Sequence, residues 1–200
     1  MAITLEKGQK ISLEKEAGGA LTKVIMGLGW DAKQGGAKKS GLLGGLFGGG
    51  SSDNAIDLDA SCIMFVGDRP VDAIFFGQLK SKDGSVVHSG DNRTGKGEGD
   101  DEQIVVDLSR IPENVTALVF TVNSFTGQTF DAVENAYCRL LNSGNQSEIA
   151  RYTLTSQGAH TAQIMAKVYR HNGEWKMHAI GENASGRTIN DLFQPIIPFL

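Results

Sequence analysis

The sequence predicts an all-β fold, a sandwich of two mainly antiparallel sheets with short helical turns and one long glycine-rich inserted loop, and three features predict it. Short apolar or alternating runs recur along the chain with turn residues between them, where an α/β protein would interleave long helical patterns. Two of these runs flank His171-Asn172-Gly173, and an Asn-Gly pair between alternating residues is a strong short-range hairpin signal. No helical pattern is long, and no repeat of fixed period points to a solenoid or propeller.

The expected strands fall at residues 2–5, 10–13, 21–27, 57–65, 73–76, 103–108 and 115–123, then at 137–141, 149–154, 162–170 and 174–180. Ser109-Arg110-Ile111-Pro112 reads as a single turn, and residues 124–135 as a short helical or looped crossover. Residues 32–54 stand apart in composition: Gly, Ser and Lys surround Leu42, Leu43, Leu46 and Phe47. An inserted, flexible loop is expected there, because glycine loses more conformational freedom on ordering than any other residue. A sharper reading docks its apolar tip on a protein partner or on the inner face of a membrane. Residues 1–200 are read as one domain, a usual size for a single all-β core.

Glycine is over-represented, with 26 in the chain against an average of roughly 7%. The net charge of −4 argues against a nucleic-acid surface, which needs a basic face, and makes cations the natural partners. The amino terminus MAITLEKGQK lacks the apolar centre of a signal peptide and no stretch approaches a membrane-spanning length, so a cytoplasmic location is expected. Cys62 and Cys138 each lie in an apolar strand-like run, the setting of a reduced, buried thiol.

The most informative segment runs from Ser89 to Glu102 (SGDNRTGKGEGDDE). Asp91, Asn92, Asp100, Asp101 and Glu102 offer hard oxygen ligands, and calcium takes six to eight such oxygens at roughly 2.3–2.6 Å in a tolerant geometry. Gly95, Gly97 and Gly99 can adopt positive φ and turn their carbonyls toward an ion. Without compensation the three successive acids would repel one another. The segment is not an EF-hand loop, since Arg93 and Lys96 stand where that loop needs an oxygen ligand and a glycine. It matches a phosphate loop from Gly90 to Lys96 but then has Gly97 in place of the magnesium-binding hydroxyl, and no long helix follows. A ligand-free acidic hairpin tip is the plain alternative. Asp57 and Asp59 alternate at the entry to a strand, which points both carboxylates to one face and calls for a cation or hydrogen bonds. Asp31, after Trp30 at a strand end, is a further candidate ligand, though aspartate is also an ordinary turn residue.

These residues carry a family resemblance across nearly the whole chain. Leu5-Glu6-Lys7-Gly8-Gln9, Gly29-Trp30-Asp31, Ile56-Asp57-Leu58-Asp59-Ala60-Ser61 and the full loop from Gly90 to Glu102 occur in order. Val106-Asp107-Leu108, Ile111-Pro112, Phe130, Asn135-Ala136-Tyr137-Cys138-Arg139, Tyr169-Arg170, Trp175 and Ile180-Gly181 follow. In these the chain resembles the TerD family of tellurium-resistance and stress-response proteins. The resemblance implies a β-sandwich that binds calcium, as more than one ion, through the acidic loop and the nearby aspartates. It also implies a role in resistance to tellurite, phage and other stresses, with protein partners in a stress-response complex. The insertion at residues 32–54 departs from the family pattern, separating Trp30-Asp31 from Asp57-Leu58-Asp59.

Signatures of catalysis are missing. His88, His160, His171 and His178 show no metal-ligand spacing, and no Gly-x-Ser-x-Gly elbow occurs. A non-enzymatic, calcium-responsive binding module is therefore expected. The alternative is a metal-dependent nucleotide- or phosphate-binding protein, or an enzyme, using residues 90–97.

Overall fold

Among the residues described by the computed structural model (2–32, 57–90, 99–154 and 158–200), twelve strands form two six-stranded sheets. The strands are β1 (Ile3–Thr4), β2 (Lys10–Ser12), β3 (Lys23–Ala32), β4 (Leu58–Val66), β5 (Arg69–Ile74) and β6 (Val86–His88). They continue as β7 (Glu102–Asp107), β8 (Ala117–Ser124), β9 (Val133–Asn142), β10 (Glu148–Thr153), β11 (Ala162–His171) and β12 (Glu174–Ala184). The first sheet runs β1-β10-β9-β3-β7-β6 and the second β2-β12-β11-β8-β4-β5. Every pairing is antiparallel except β1 with β10. The sandwich predicted from the sequence is the fold observed.

Burial follows the pleat. From β4, Leu58, Ala60, Cys62 and Met64 enter the space between the sheets, as do Leu118, Phe120 and Val122 from β8. The alternate residues Ile63, Phe65, Ala117 and Val119 belong to a second cluster on the outer face of the second sheet. A carboxy-terminal segment with short helical turns, α2 (Phe193–Ile196) among them, covers that face with Ile189, Leu192 and Ile196. Each such side chain contributes roughly 1.5–3 kcal/mol on full burial. Burial on both faces explains why β4 is apolar from Cys62 to Val66 and β8 from Ala117 to Phe120.

The hairpin expected at Asn172-Gly173 joins β11 to β12, with His171 paired to Glu174. Both turn residues have positive φ, 53° and 78°, as a type I′ turn requires. The turn expected at 109–112 begins two residues earlier: Arg110 N–H donates to the Asp107 carbonyl, closing a turn over residues 107–110. The crossover at 124–135 contains a single 3-10 turn, Phe130–Ala132. The sequence reading missed β6, α1 (Leu13–Ala17) and the carboxy-terminal helical segment at Ile189–Leu192, Phe193–Ile196 and Ile197–Phe199. Strand β6 is three residues long, and the single-turn helix α1 begins where the second expected strand ended, closing at Gly18 with φ 71°. The expected insertion at 32–54 lies outside the described residues, save Ala32, the last residue of β3.

Candidate functional site

Asp100, Asp101 and Glu102 are consecutive, and the structure sends them three ways. Glu102 opens β7 and is 1% exposed. Its Oε2 accepts the N–H of Ala60, in the opposite sheet, at 2.8 Å. Strand β5 pairs with β4 only as far as Cys62, opposite Ile74, so Ala60 lies beyond the end of its β5 partner. Side chains supply the missing partner. The Ala60 carbonyl is met by His88 Nε2 at 3.2 Å, and the same nitrogen lies 3.4 Å from Glu102 Oε2. Gly90 N–H donates to His88 Nδ1 at 3.0 Å, which leaves Nε2 as the protonated, donating nitrogen.

Asp100 lies over Gly27 of β3, where a Cβ would fall inside its carboxylate. Its Oδ1 accepts Arg139 Nε at 2.7 Å and the Tyr137 hydroxyl at 3.2 Å, and its Oδ2 accepts Gln103 Nε2 at 3.0 Å. The Tyr137 hydroxyl also meets the Gly99 carbonyl at 2.7 Å, pinning the end of the acidic loop. Tyr137 occupies the space over Gly29, where a Cβ would stand 2.5 Å from its ring. Two glycines in β3 thus clear room for the groups that hold the loop. The bond to Asp100 raises the Arg139 pKa further above its ordinary value, while burial and then Asp100 raise that of Tyr137.

Asp101 turns toward the end of β3. Its Oδ2 accepts the Trp30 N–H at 2.9 Å, and its own N–H donates to the Leu28 carbonyl at 2.7 Å. Burial raises its carboxyl above the usual range, the Trp30 N–H opposes this, and repulsion from Asp31, Glu102 and Asp100 adds to the rise. Asp31 is exposed and accepts Asn135 Nδ2 at 2.8 Å. The register between β3 and β9 shifts here, from Gly29 opposite Tyr137 to Asp31 opposite Glu134. The extra residue on β9 places Asn135 at φ 53°, a left-handed conformation that asparagine tolerates better than most residues.

Of the remaining candidates, Asp57 is half-buried immediately before β4, and Asp59 is 4% exposed within it, opposite Asn123. Asp59 faces a cavity on the outer side of the second sheet. The clasp on Ala60 therefore fixes the strand that carries Asp57 and Asp59 against the strand that begins with Glu102. Asp91, Asn92 and Gly97 lie outside the described residues, as does most of the 90–97 stretch of the phosphate-binding alternative. Among the described residues, no three His, Cys, Asp or Glu side chains converge as a metal cage. The donor chemistry fits calcium all the same: Asp31 and Asp101 are hard oxygen donors in mutual repulsion at one strand end, and Asp101 is three residues past the undescribed part of the loop.

Sequence reasoning missed the residues that hold these acids, namely His88, Asn135, Tyr137 and Arg139. The last three alternate at period two on one strand opposite a glycine-bearing neighbour, a signal that was readable. His88 could not be found from spacing alone.

A two-sheet sandwich in which the consecutive acids Asp100, Asp101 and Glu102 are tied to three different strands, through Arg139, Trp30 and Ala60, defines a small β protein. The chain matches the TerD domain over residues 1–194 and belongs to the TerD family. It is 50% identical over 196 residues to tellurium resistance protein TerZ of Serratia marcescens, covering 98% of this chain and 97% of that one. It is 42% identical over 200 residues to stress response protein SCP2 of Bacillus subtilis (strain 168), covering 96% and 98%. A crystal structure of a homologue of telluride resistance protein (TerD) from Streptomyces coelicolor A3(2) shares the fold. That structure superposes with a TM-score of 0.65 at 22% identity, over 84% of this chain and 92% of that one.

Proposed function

We propose that the chain is a calcium-binding, non-enzymatic module of the stress response, in which the ion orders the acidic loop and creates a surface for a protein partner. The observation that carries this reading is the meeting of Asp31 and Asp101 at the end of β3, where Asp101 accepts the Trp30 N–H and its carboxyl is raised by burial first and then by repulsion from Asp31 and its acidic neighbours. Calcium would relieve that repulsion. Asp31 and Asp101 are assigned to one ion, with Asp91, Asn92 and the Gly97 carbonyl completing its oxygen shell. Asp57 and Asp59, at the entry of β4, are assigned to a second. Asp100 and Glu102 position the loop through Arg139 and Ala60.

Because these acids come from three strands, the site forms only in the folded sandwich, and calcium binding couples to stability. The reading carries with it a role in tellurite and general stress resistance, which the kinship with TerZ and SCP2 supports, and the cytoplasmic location expected from the sequence. Native mass spectrometry during a calcium titration tests it: two bound calcium ions on the folded chain, one of them lost in Asp31→Ala with Asp101→Ala, support the assignment. A spectrum free of bound calcium at saturating concentration refutes it.

A further inference from the structure

The outer face of the second sheet carries a cavity of about 230 Å3. Its floor is polar and buried. Ser61 and Asn123, 1% and 3% exposed, reach it from β4 and β8, where Ser61 is paired with Thr121, two residues before Asn123 and so on the same face. Asn123 Nδ2 donates to the Arg187 carbonyl at 3.0 Å, which fixes the orientation of the amide. Neither its Oδ1 nor Ser61 Oγ has a hydrogen-bond partner among the described residues. Phe76 and Phe125 wall the mouth, their rings 5.6 Å apart and edge-to-face, and both are more than 40% exposed. Arg187 Nε and Nη2 donate to the Phe125 carbonyl at 3.2 and 3.1 Å, so one residue ties the mouth to the floor. Asp59 also lines the cavity, already engaged within the chain.

Size, walls and floor each narrow the ligand. An apolar cavity of roughly 150 Å3 holds one benzene, whereas drug-sized sites run to roughly 300–1,000 Å3, so about 230 Å3 suits a single ring with a substituent. The two exposed rings at the mouth offer edge and face to a third, a contact worth more than its buried area. At the floor Asn123 Oδ1 accepts a hydrogen bond and Ser61 Oγ donates or accepts one, so the matching group is a neutral hydroxyl, which does both. A carboxylate there would face an acceptor, and an ammonium would enter past the Arg187 guanidinium. We propose that this cavity binds a phenolic ring, free or as the tyrosine side chain of a partner, with the hydroxyl on Asn123 and Ser61 and the ring against Phe76 and Phe125. No contact to Asp59 is needed, so the site is independent of either calcium ion. Floor and mouth are held by the protein before any ligand arrives, which lowers the cost of binding.

Calorimetric titration of the full chain with p-cresol, toluene and N-acetyl-L-tyrosinamide, in chelator and again in calcium, tests the assignment. In both buffers p-cresol is expected to bind saturably and about tenfold or more tighter than toluene, because toluene leaves the buried floor unpaired. Ser61→Ala should narrow that preference and Phe125→Ala should weaken both compounds, with melting curves confirming that both variants fold. N-acetyl-L-tyrosinamide binding as tightly as p-cresol or tighter assigns the site to a tyrosine of a partner, and weaker binding assigns it to a free phenol. The proposal is overturned if p-cresol does not bind saturably below about 10 mM, if toluene binds as tightly, or if Phe125→Ala leaves p-cresol binding unchanged. Binding of p-cresol confined to the calcium buffer would put the hydroxyl on a metal ion and likewise overturns it.

Discussion

His88 Nε2 lies 3.4 Å from Glu102 Oε2, and together the two side chains, both from the first sheet, clasp the backbone N–H and carbonyl of Ala60 in the second. They take the place of a β-strand partner where β5 ends, and so join the two sheets at the root of the acidic loop.

Glu102→Ala should be markedly destabilising. It leaves the Ala60 N–H buried without its acceptor, and such a group costs about 1–3 kcal/mol. Urea denaturation should show that loss, with the melting temperature falling about 2–4 °C per kcal/mol in a chain of this size. Glu102→Gln keeps an acceptor of the same length and should lose less.

Arg139 and Asp100 form an ion pair in which the carboxylate side chain is 0% exposed and the arginine 24%. Arg139→Leu strands a buried charge, and the expected cost is about 2–4 kcal/mol, near the lower part of the range for breaking a buried pair. Asp100→Asn combined with Arg139→Leu should recover part of it. The loss should appear equally in chelator and in calcium, because Asp100 acts through the protein. A loss confined to calcium would instead make Asp100 a ligand.

Asp101 sets a pH dependence. Its folded carboxyl titrates above the unfolded value through burial first and then repulsion from Asp31, Glu102 and Asp100. The folded chain binds this proton more tightly, so the associated stability is present at low pH and is lost as pH rises through the folded value. In chelator at pH 7, Asp101→Asn should melt higher than wild type, and the difference should shrink as pH falls toward 4. Glu148 titrates in the opposite sense, held low chiefly by Arg151, but contributes equally to both proteins. A variant that melts lower at pH 7 would contradict the assigned repulsion.

Both cysteines should be inert in the native state. Cys62 and Cys138 are free and buried. Burial pushes both thiols up, that of Cys138 to about 12, so little thiolate exists near neutral pH. A chromogenic disulfide reagent at pH 8 should react with neither until denaturant is added, and then with both.

Much of this could be read from the sequence, because the relevant signals are local. Asn172-Gly173 fixes a turn type, and the runs Cys62 to Val66 in β4 and Ala117 to Phe120 in β8 are apolar on both faces. The Asp100-Asp101-Glu102 run is visible as charge. Its division of labour is not visible, since that depends on register: Asp100 rests on Gly27 because β3, β7 and β9 bring Gly27, Gln103 and Arg139 side by side. The end of β3 was missed for the same reason. Gly27 and Gly29 weaken a strand signal, and only the packing of Asp100 and Tyr137 shows why glycine is required. His88 was opaque because β6 is three residues long and its partner, Ala60, is a backbone group.

The calcium reading is tested most directly by the melting temperature of the chelator-treated chain on addition of calcium or magnesium. At 100 times its dissociation constant, each calcium ion should add about 2.7 kcal/mol, or roughly 5–10 °C, magnesium should add much less, and Asp31→Ala with Asp101→Ala should remove the contribution of one ion. A melting temperature unchanged by excess calcium would contradict it.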